Sequence, residues 1–246
     1  MPKFAVIMPA AGKSRRFRDE HYKKPFAILD NRAVWLHSAE KFLNRDDVIQ
    51  LLLVISADDR EAFSAKFAAN VAIMGIDIVE GGAERADSVE NALARVKPEA
   101  DFVAVHDAAR PCIVDEWIST IFQAAQETGA AIPAIQVNGT IKRANAQKII
   151  EETISREGLW EAQTPQVFAR QILLDAYAHR GGFNATDDAQ LVERTGQTVK
   201  IVPGSPLNLK ITSKQDLRLA SQVLKVMPKP KLGGPAHPFA NDDMWR

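Results

Sequence analysis

The chain has 246 residues, of which 46% are hydrophobic and 25% charged, and its 31 basic and 31 acidic residues give a formal net charge of zero. These values are typical of a globular protein and exclude a strongly basic nucleic-acid-binding chain. A single cysteine, Cys112, excludes an intramolecular disulfide, and neither a secretion signal nor a membrane span of roughly 18 apolar residues is evident, so we expect a cytoplasmic protein with no membrane or nucleic-acid partner.

The hydrophobic pattern alternates between strands and helices over the first half of the chain. Apolar runs typical of buried strands lie at residues 4–8, 49–55, 76–79, 102–105 and 130–137. Segments with helical spacing, two of which begin with a predicted capping box at Asp58 and at Asp87, lie between them at residues 34–43, 58–69, 87–96 and 115–128. This alternation predicts an α/β fold with a Rossmann-like, doubly wound and mostly parallel sheet.

The pattern changes near residue 135. Two extended runs, at residues 135–143 and 148–156, are joined by a short polar turn and predict a β-hairpin, the arm, over about residues 135–156. Because a two-stranded hairpin is marginally stable alone in water, we expect the arm to lean on another surface, for which a second subunit is a reasonable candidate.

The rest of the chain returns to the first pattern. Helices are predicted at residues 169–180 and 187–195, a strand at 199–202, and a final helix from Ser213 to about residue 226. No repeat or second domain is evident, so we expect one domain over residues 1–227. Residues 228–246 are rich in Pro, Gly and polar residues, and we expect them to form a disordered tail.

A basic loop follows the first predicted strand. The small residues at 10–12 permit a ligand to approach the backbone, and six cations follow among the next twelve residues against two acids: Lys13, Arg15, Arg16, Arg18, Lys23 and Lys24. A solvated surface loop is one interpretation, and a polyanion-binding loop is the other. Residues 12–14 match the end of a P-loop, but the first glycine of that motif would fall on Ile7, so a triphosphate-binding loop of another kind fits better.

Three further segments follow predicted strands, where open α/β sheets bind their ligands. Residues 81–88 combine two glycines with a helix start, which suits a flat ligand lying against the backbone or merely a tight turn. Asp107, directly after a buried strand, can hold Mg²⁺ between phosphates, although it can equally cap a turn or pair with Arg110. Lys210 precedes the last helix and by itself is a surface lysine. The histidines lack metal-ligand spacing, so no structural zinc is predicted.

Eight segments occur in a characteristic order along the chain: PAAG, KKP, EGGAERADSV, VHDAARP, TIKR, REGLWEAQTPQVF, TDDA and NLKIT. In this order they resemble the 2-C-methyl-D-erythritol 4-phosphate cytidylyltransferase family over about residues 4–226. The resemblance implies a nucleotidyltransferase-type fold, Mg²⁺ as cofactor and a homodimer formed through the arm. It also implies transfer of a cytidylyl group from CTP to 2-C-methyl-D-erythritol 4-phosphate, giving 4-diphosphocytidyl-2-C-methyl-D-erythritol and pyrophosphate, a step of non-mevalonate isoprenoid biosynthesis. Transfer to another alditol phosphate, such as ribitol 5-phosphate, and nucleotide binding without catalysis remain alternatives.

The resemblance implies roles for particular residues. Those expected to act on the triphosphate and at the transition state are Arg16, Lys24 and Lys210. Those expected to bind the nucleotide are Ala10, Ala11, Gly12, Gly82, Ala83, Ser88 and Asp107, the last also as the Mg²⁺ ligand. Those expected to bind the polyol phosphate are Arg110, Thr140, Arg156 and Thr164, with the arm supplying Thr140 and Arg156 to the neighbouring subunit.

Two positions depart from the usual pattern of the family. The first loop has Ser14 where a second glycine is common, and the segment after Gly82 has Ala83 where an aspartate is common. A contact made there through the backbone N–H would be preserved, whereas a contact made through the carboxylate would be lost.

Overall fold

A mostly parallel β-sheet forms the centre of the computed structural model, which describes residues 1–12 and 26–228. The strands, in chain order, are β1 (Phe4–Pro9), β2 (Ile28–Leu29), β3 (Arg32–Ala33), β4 (Val48–Ile55), β5 (Asp77–Glu80), β6 (Phe102–Val105), β7 (Ala130–Gln136), β8 (Ile141–Ala144), β9 (Ile150–Ile154), β10 (Trp160–Ala162), β11 (Gln166–Ala169) and β12 (Lys200–Pro203). Within the described residues, eight strands form the main sheet in the order β10-β7-β11-β6-β1-β4-β5, with β12 also paired with β7.

The neighbours of β1 explain its continuous apolar run. β1 is parallel to both β4 and β6, and β4 is parallel to β5. Because β1 is hydrogen-bonded on both sides and covered on both faces, residues 4–8 are all fully buried and do not alternate with polar ones.

Two short strands of the main sheet were not predicted. β11 runs antiparallel between β6 and β7, and β10 is antiparallel to β7. The buried polar residues Gln163, Thr164 and Gln166 interrupt the apolar pattern at this point. Their burial is accommodated because each side chain is hydrogen-bonded: Gln163 to Ser205, Thr164 to Asp107 and Gln166 to Asp187.

The helices cover both faces of the sheet. They are α1 (Val34–Leu43), α2 (Arg60–Met74), α3 (Arg85–Leu93), α4 (Asp115–Thr128), α5 (Arg170–Ala178), α6 (Asp188–Arg194) and α7 (Lys214–Val226). One core cluster joins Phe4, Val6 and Met8 to α1, α2 and α4, and another joins Ala5 and Ile7 to α3, α5 and α6. Alternate residues of β1 thus face opposite helical layers, which confirms the predicted doubly wound sheet.

Local signals at helix ends differ from the predictions in two places. The predicted end of α2 near Ala69 is wrong, because the helix continues to Met74 and stops at Gly75, whose φ of 63° is a left-handed conformation that glycine adopts without strain. The predicted capping box at Asp87 is also displaced by one turn. Asp87 is the third residue of α3, and the capping box joins it to Glu84. At α2 the N-cap, Asp59, makes no side-chain capping hydrogen bond.

The arm is a two-stranded sheet of its own. β8 pairs with β9 in antiparallel fashion, from Ile141 opposite Ile154 to Ala144 opposite Ile150. The predicted start of its first strand at residue 135 is wrong, because Ile135 and Gln136 belong to β7 and pair with β10 in the main sheet. Among the described residues, no helix is both long enough and apolar enough to cross a membrane.

Candidate active site

The loops that follow β1 and β5 touch at one edge of the main sheet. The N–H of Gly81 donates to the carbonyl oxygen of Ile55 at 2.8 Å, and a Cβ atom added at Gly81 would lie 2.5 Å from the Cβ of Ala11. Only glycine therefore permits this approach. The structure brings two of the predicted nucleotide-binding segments, residues 10–12 and 81–88, side by side.

The loop after β5 exposes its backbone and buries its hydroxyl group. Gly82 and Ala83 are exposed, whereas the Ser88 side chain is buried. The Ser88 Oγ accepts a hydrogen bond from the Gly82 N–H at 3.1 Å and donates one to the Glu84 carbonyl oxygen at 3.0 Å. The hydroxyl thus fixes the shape of the loop, and the exposed peptide groups are the part that a ligand can contact.

Asp107 lies at the carboxyl end of β6 and is surrounded by cations. Its Oδ2 is 2.7 Å from the Nζ of Lys210 and 3.6 Å from the Nε of Arg110, and its Oδ1 is 3.9 Å from the Nε of Arg85. Burial opposes ionisation of Asp107, but Lys210, followed by Arg85 and Arg110, outweighs it and holds the pKa of the carboxyl well below its usual value. Asp107 is therefore a carboxylate, as a cation-binding role requires.

A network of buried hydrogen bonds positions Asp107. The backbone N–H of Asp107 donates to the Thr164 Oγ1 at 3.0 Å, and this oxygen lies 3.2 Å from the Nδ1 of His106. Because Thr164 accepts from Asp107, its own proton is directed to Nδ1, and the Nε2–H of His106 donates to the Arg110 carbonyl oxygen at 3.1 Å. Burial lowers the pKa of His106 to about 4, so the imidazole is neutral near pH 7.

Asn208 ties Arg110 to the same network. Its side-chain Nδ2 donates to the backbone carbonyl oxygen of Thr164 at 2.9 Å, and its backbone carbonyl oxygen accepts from the Nη1 of Arg110 at 2.7 Å. Arg110 is almost fully buried, while 41% of the Lys210 side chain is exposed. The ammonium group of Lys210 can therefore reach a ligand at the surface while Arg110 stays fixed behind it.

Arg85 is a member of this cluster that the sequence did not single out. It is the first residue of α3, and its Nη2 donates to the Oδ2 of Asp188 at 2.7 Å. Burial opposes the charge of Arg85, but the carboxylates of Asp188 and Asp107 outweigh it and raise the pKa of the guanidinium. The sequence signal for this contact is the pair of segments ERADSV and TDDA, but which of their residues meet is visible only in the folded chain.

The cluster gathers cations around one ionised carboxylate. Arg85, Arg110 and Lys210 surround Asp107, while Asp188 pairs with Arg85 and Glu161 also acts on Arg110. The half-exposed ammonium group of Lys210 is the positive group of this cluster that a polyanionic ligand can reach. The cations of the predicted basic loop lie outside the described residues.

Several predicted residues lie elsewhere. Thr140 and Arg156 are exposed at the base of the arm, where Arg156 donates to the carbonyl oxygen of Asn138. Within residues 1–12 and 26–228, no hydrogen bond or ion pair joins either of them to the Asp107 cluster. Arg16, Lys24 and the other cations of the basic loop lie outside the described residues, as does most of the predicted tail.

The described residues fit Mg²⁺ only if phosphate oxygens of a ligand and water complete its coordination. Among the described residues, no group of three or more His, Cys, Asp or Glu side chains could enclose a metal ion. The Asp188 carboxylate is engaged by Arg85 and Tyr177, whereas the Oδ1 of Asp107 is 3.9 Å from the Nε of Arg85, beyond hydrogen-bonding distance. Mg²⁺ commonly takes one or two carboxylates together with phosphate oxygens and waters, so one carboxylate beside a triphosphate suits it.

Known proteins share both the sequence and the fold of this chain. The family model of 2-C-methyl-D-erythritol 4-phosphate cytidylyltransferase matches residues 4–226. A 2-C-methyl-D-erythritol 4-phosphate cytidylyltransferase of Rhodopirellula baltica is 44% identical over 231 residues, covering 89% of this chain and 94% of that protein.

Solved structures agree with the sequence comparison. A 4-diphosphocytidyl-2C-methyl-D-erythritol synthase superposes with a TM-score of 0.77 at 29% identity, covering 91% of this chain and 99% of that one. The 2-C-methyl-D-erythritol 4-phosphate cytidylyltransferase of Thermus thermophilus superposes with a TM-score of 0.74 at 31% identity, covering 92% of this chain and 100% of that one. The chain therefore belongs to the 2-C-methyl-D-erythritol 4-phosphate cytidylyltransferase family.

Proposed function

We propose that this chain is a CTP-dependent cytidylyltransferase that converts CTP and 2-C-methyl-D-erythritol 4-phosphate into 4-diphosphocytidyl-2-C-methyl-D-erythritol and pyrophosphate. The observation that carries the proposal is the Asp107 cluster at the carboxyl edge of the main sheet. We use this name for Asp107 together with Arg85, Arg110, Lys210 and Asp188. Lys210 is half-exposed there, and Arg110 and Asp107 are locked behind it.

The reaction requires charge neutralisation and alignment more than a base. An oxygen of the substrate phosphate attacks the α-phosphorus of CTP in line, the bond from that phosphorus to the bridging oxygen breaks, and pyrophosphate leaves with the bonding electrons. The attacking phosphate is already anionic near neutral pH, so no residue has to remove a proton from it. The buried, neutral His106 is consistent with this, because its two nitrogens are used to hold Thr164 and Arg110.

The nucleotide would lie across the two touching loops. Gly82 and Ala83 are exposed, and because the Gly82 N–H is already bonded to the Ser88 Oγ, the N–H of Ala83 is the group of this pair that would contact the nucleotide. Such a backbone contact does not require the aspartate that is common at position 83. Ala10 and Ser88 are buried, so we assign to them the shape of these loops.

Cations would act where negative charge develops. Lys210 would reach the α-phosphate with the N–H groups that it does not share with Asp107, and Arg16 and Lys24 of the first loop would act on the triphosphate. Such preorganised charges stabilise a transition state without reorganisation of solvent. Mg²⁺, which Asp107 would hold, supplies further neutralisation of the phosphate oxygens when it is bound.

The polyol phosphate would bind between Arg110 and the arm of a second subunit. Arg110 is fixed by Asn208 and Asp107, and Thr164 contributes by holding the backbone of Asp107. Thr140 and Arg156 would contact the phosphate across a homodimer interface. Exposed apolar side chains in and beside the arm, Ile149, Ile150 and Trp160, support this assembly, since they favour burial against a partner.

We assign the protein to the cytoplasm, where its single buried thiol is stable.

The test is a panel of phosphate acceptors. Purified protein is incubated with CTP, Mg²⁺ and one acceptor at a time, namely 2-C-methyl-D-erythritol 4-phosphate, ribitol 5-phosphate or glycerol 3-phosphate, and pyrophosphate release is followed. We expect rapid release with the first acceptor. Greater activity with ribitol 5-phosphate would replace the assigned substrate, and CTP binding without release in any reaction would identify a non-catalytic homologue.

A further inference from the structure

Arg85 sits between two carboxylates and makes a different contact with each. It donates a hydrogen bond to the Oδ2 of Asp188 at 2.7 Å, whereas its Nε is 3.9 Å from the Oδ1 of Asp107. The first distance is that of a charge-assisted hydrogen bond, and the second is too long for one. Arg85 thus gives Asp107 the field of a positive charge without occupying its oxygen.

Buried hydrogen bonds hold the Asp188 side chain in place beside Arg85. Its side chain is fully buried, and its second oxygen, Oδ1, accepts a hydrogen bond from the Tyr177 hydroxyl at 2.6 Å. The backbone N–H of Asp188 donates to the Gln166 Oε1 at 3.0 Å, and Gln166 lies in β11, which pairs with β6 directly before Asp107. The anchor of Arg85 is therefore fixed to the strand that pairs with the end of β6, two residues before Asp107.

We propose that Arg85 is a positioning residue of the nucleotide site, and that the buried Asp188–Tyr177 pair holds its guanidinium at a distance from Asp107 that leaves the Asp107 Oδ1 free to act on the nucleotide side. Without this anchor, the guanidinium moves about 1 Å and hydrogen-bonds to Oδ1. The Asp107 carboxylate is then occupied by Lys210 at Oδ2 and by Arg85 at Oδ1, and it is withdrawn from the nucleotide side. This inference rests on the proposed function.

The experiment compares three variants. Arg85→Ala removes the charge, Asp188→Asn removes the anchor while keeping its size, and the double variant removes both. Because Asp188 acts through Arg85, we expect each single variant to lower kcat/KM for CTP about tenfold to a hundredfold, the range typical of groups that orient a ligand of the site. The double variant should be no worse than Arg85→Ala by more than about twofold. The KM for the polyol phosphate should stay within about twofold of wild type, since Arg85 belongs to the segment 81–88 that is assigned to the nucleotide and makes no ion pair or hydrogen bond with Arg110 or Thr164 among the described residues.

A control variant distinguishes the positioning role of Arg85 from a general role of ion pairs that join α3 to its neighbours. Arg180, just after α5, also binds carboxylates of α3, at 2.6 Å to Asp87 and 2.9 Å to Glu90, but makes no ion pair with Asp107 within the described chain. We expect Arg180→Gln to keep kcat/KM within about threefold of wild type. A loss as large as that of Arg85→Ala would overturn the proposal, because it would show that joining α3 to its neighbours is what matters.

Two further readouts keep the test decisive. CTP binding is measured by calorimetry in the absence of acceptor, so the role of Arg85 is tested even when the assigned acceptor is wrong. If the wild type turns over none of the acceptors, that result contradicts the proposed function but not the role of Arg85 in CTP binding. If Asp188→Asn does not fold, Tyr177→Phe replaces it, with an expected loss of about threefold in CTP affinity that disappears in the Arg85→Ala background. Wild-type CTP affinity in Arg85→Ala, or multiplicative losses in the double variant, would refute the inference.

Discussion

The Asp107 cluster and the arm belong to one chain but satisfy their polar and apolar groups differently. At the carboxyl end of β6, Asp107 and Arg110 are buried, Lys210 is half-exposed, and each is held by partners from other parts of the same chain. In the arm, β8 and β9 pair with each other, and Ile149 and Ile150 leave 63% and 60% of their surface exposed. We therefore expect the shape of the candidate site to be set within one subunit, and we expect the arm to pack against a second one. Four predictions test this contrast, and the first two concern the cluster.

Lys210→Ala should have the largest effect. Lys210 is the half-exposed cation of the cluster, so we expect its removal to lower kcat about a hundredfold to a thousandfold, as the loss of one preorganised charge does. Pyrophosphate release measures the rate, and circular dichroism checks the fold. The matched control is Lys97→Ala, an exposed lysine that precedes β6 and so lies toward the opposite end of that strand. Equal rates for both variants would contradict the role of Lys210.

The buried His106 should make stability depend on pH. Its pKa is about 4 in the folded chain against an ordinary 6.5. Above pH 6.5 the neutral imidazole is accommodated fully, but as the pH falls toward 4 the unfolded chain takes up a proton that the folded chain does not. We expect the free energy of unfolding to lose about 3 kcal/mol through this group between pH 7 and pH 4.

Denaturant unfolding of His106→Gln at both pH values measures this loss. The stability advantage of wild type over the variant should be smaller at pH 4 than at pH 7 by about 3 kcal/mol. His179→Gln, which changes an exposed histidine, is the control and should keep the pH dependence of wild type. An advantage that does not change with pH would show that His106 is not held neutral.

Substitutions in the arm should weaken dimer formation rather than slow the chemical step. Changing Ile149 and Ile150 together to serine removes apolar surface that a partner would bury, so we expect the dimer Kd to rise about tenfold or more, as measured by sedimentation. Ile73→Ser, at a position on α2 that is 86% exposed, is the control and should leave the Kd unchanged. An unchanged Kd in the arm variant would place the dimer interface elsewhere.

Mixed dimers should show whether the arm completes a neighbouring site. In a dimer of one Arg156→Ala subunit and one Lys210→Ala subunit, one of the two sites combines an intact Lys210 with an intact arm. Random mixing of two inactive variants should therefore restore about a quarter of the wild-type activity. Mixed dimers that form, as seen by mass spectrometry of tagged subunits, but stay inactive would contradict a shared site.

Much of the fold could be predicted because it is encoded locally. The apolar runs that became β1, β4 and β6 are continuous since both faces are covered, and Gly129, with a φ of 81°, ends α4 where the sequence predicted. The capping box of α3 was misplaced by one turn, because Asp87 has acidic residues three positions away in both directions, Glu84 and Glu90, and spacing alone does not choose between them. β11 was missed because the buried Gln166 interrupts its apolar pattern, and β10 was missed because its three residues are all exposed and do not alternate.

The sequence by itself determined the alternation of strands and helices, the small residues at the strand ends and, through the order of its motifs, the family. These features depend on neighbouring residues and on short spacings, which the chain carries wherever it lies. Only the tertiary structure decided that Arg85 meets Asp188, 103 residues further along, and that Lys210 meets Asp107. Such pairs are chosen by the packing of helices and strands that are distant in sequence, because a charge is buried where folding brings an opposite charge to it.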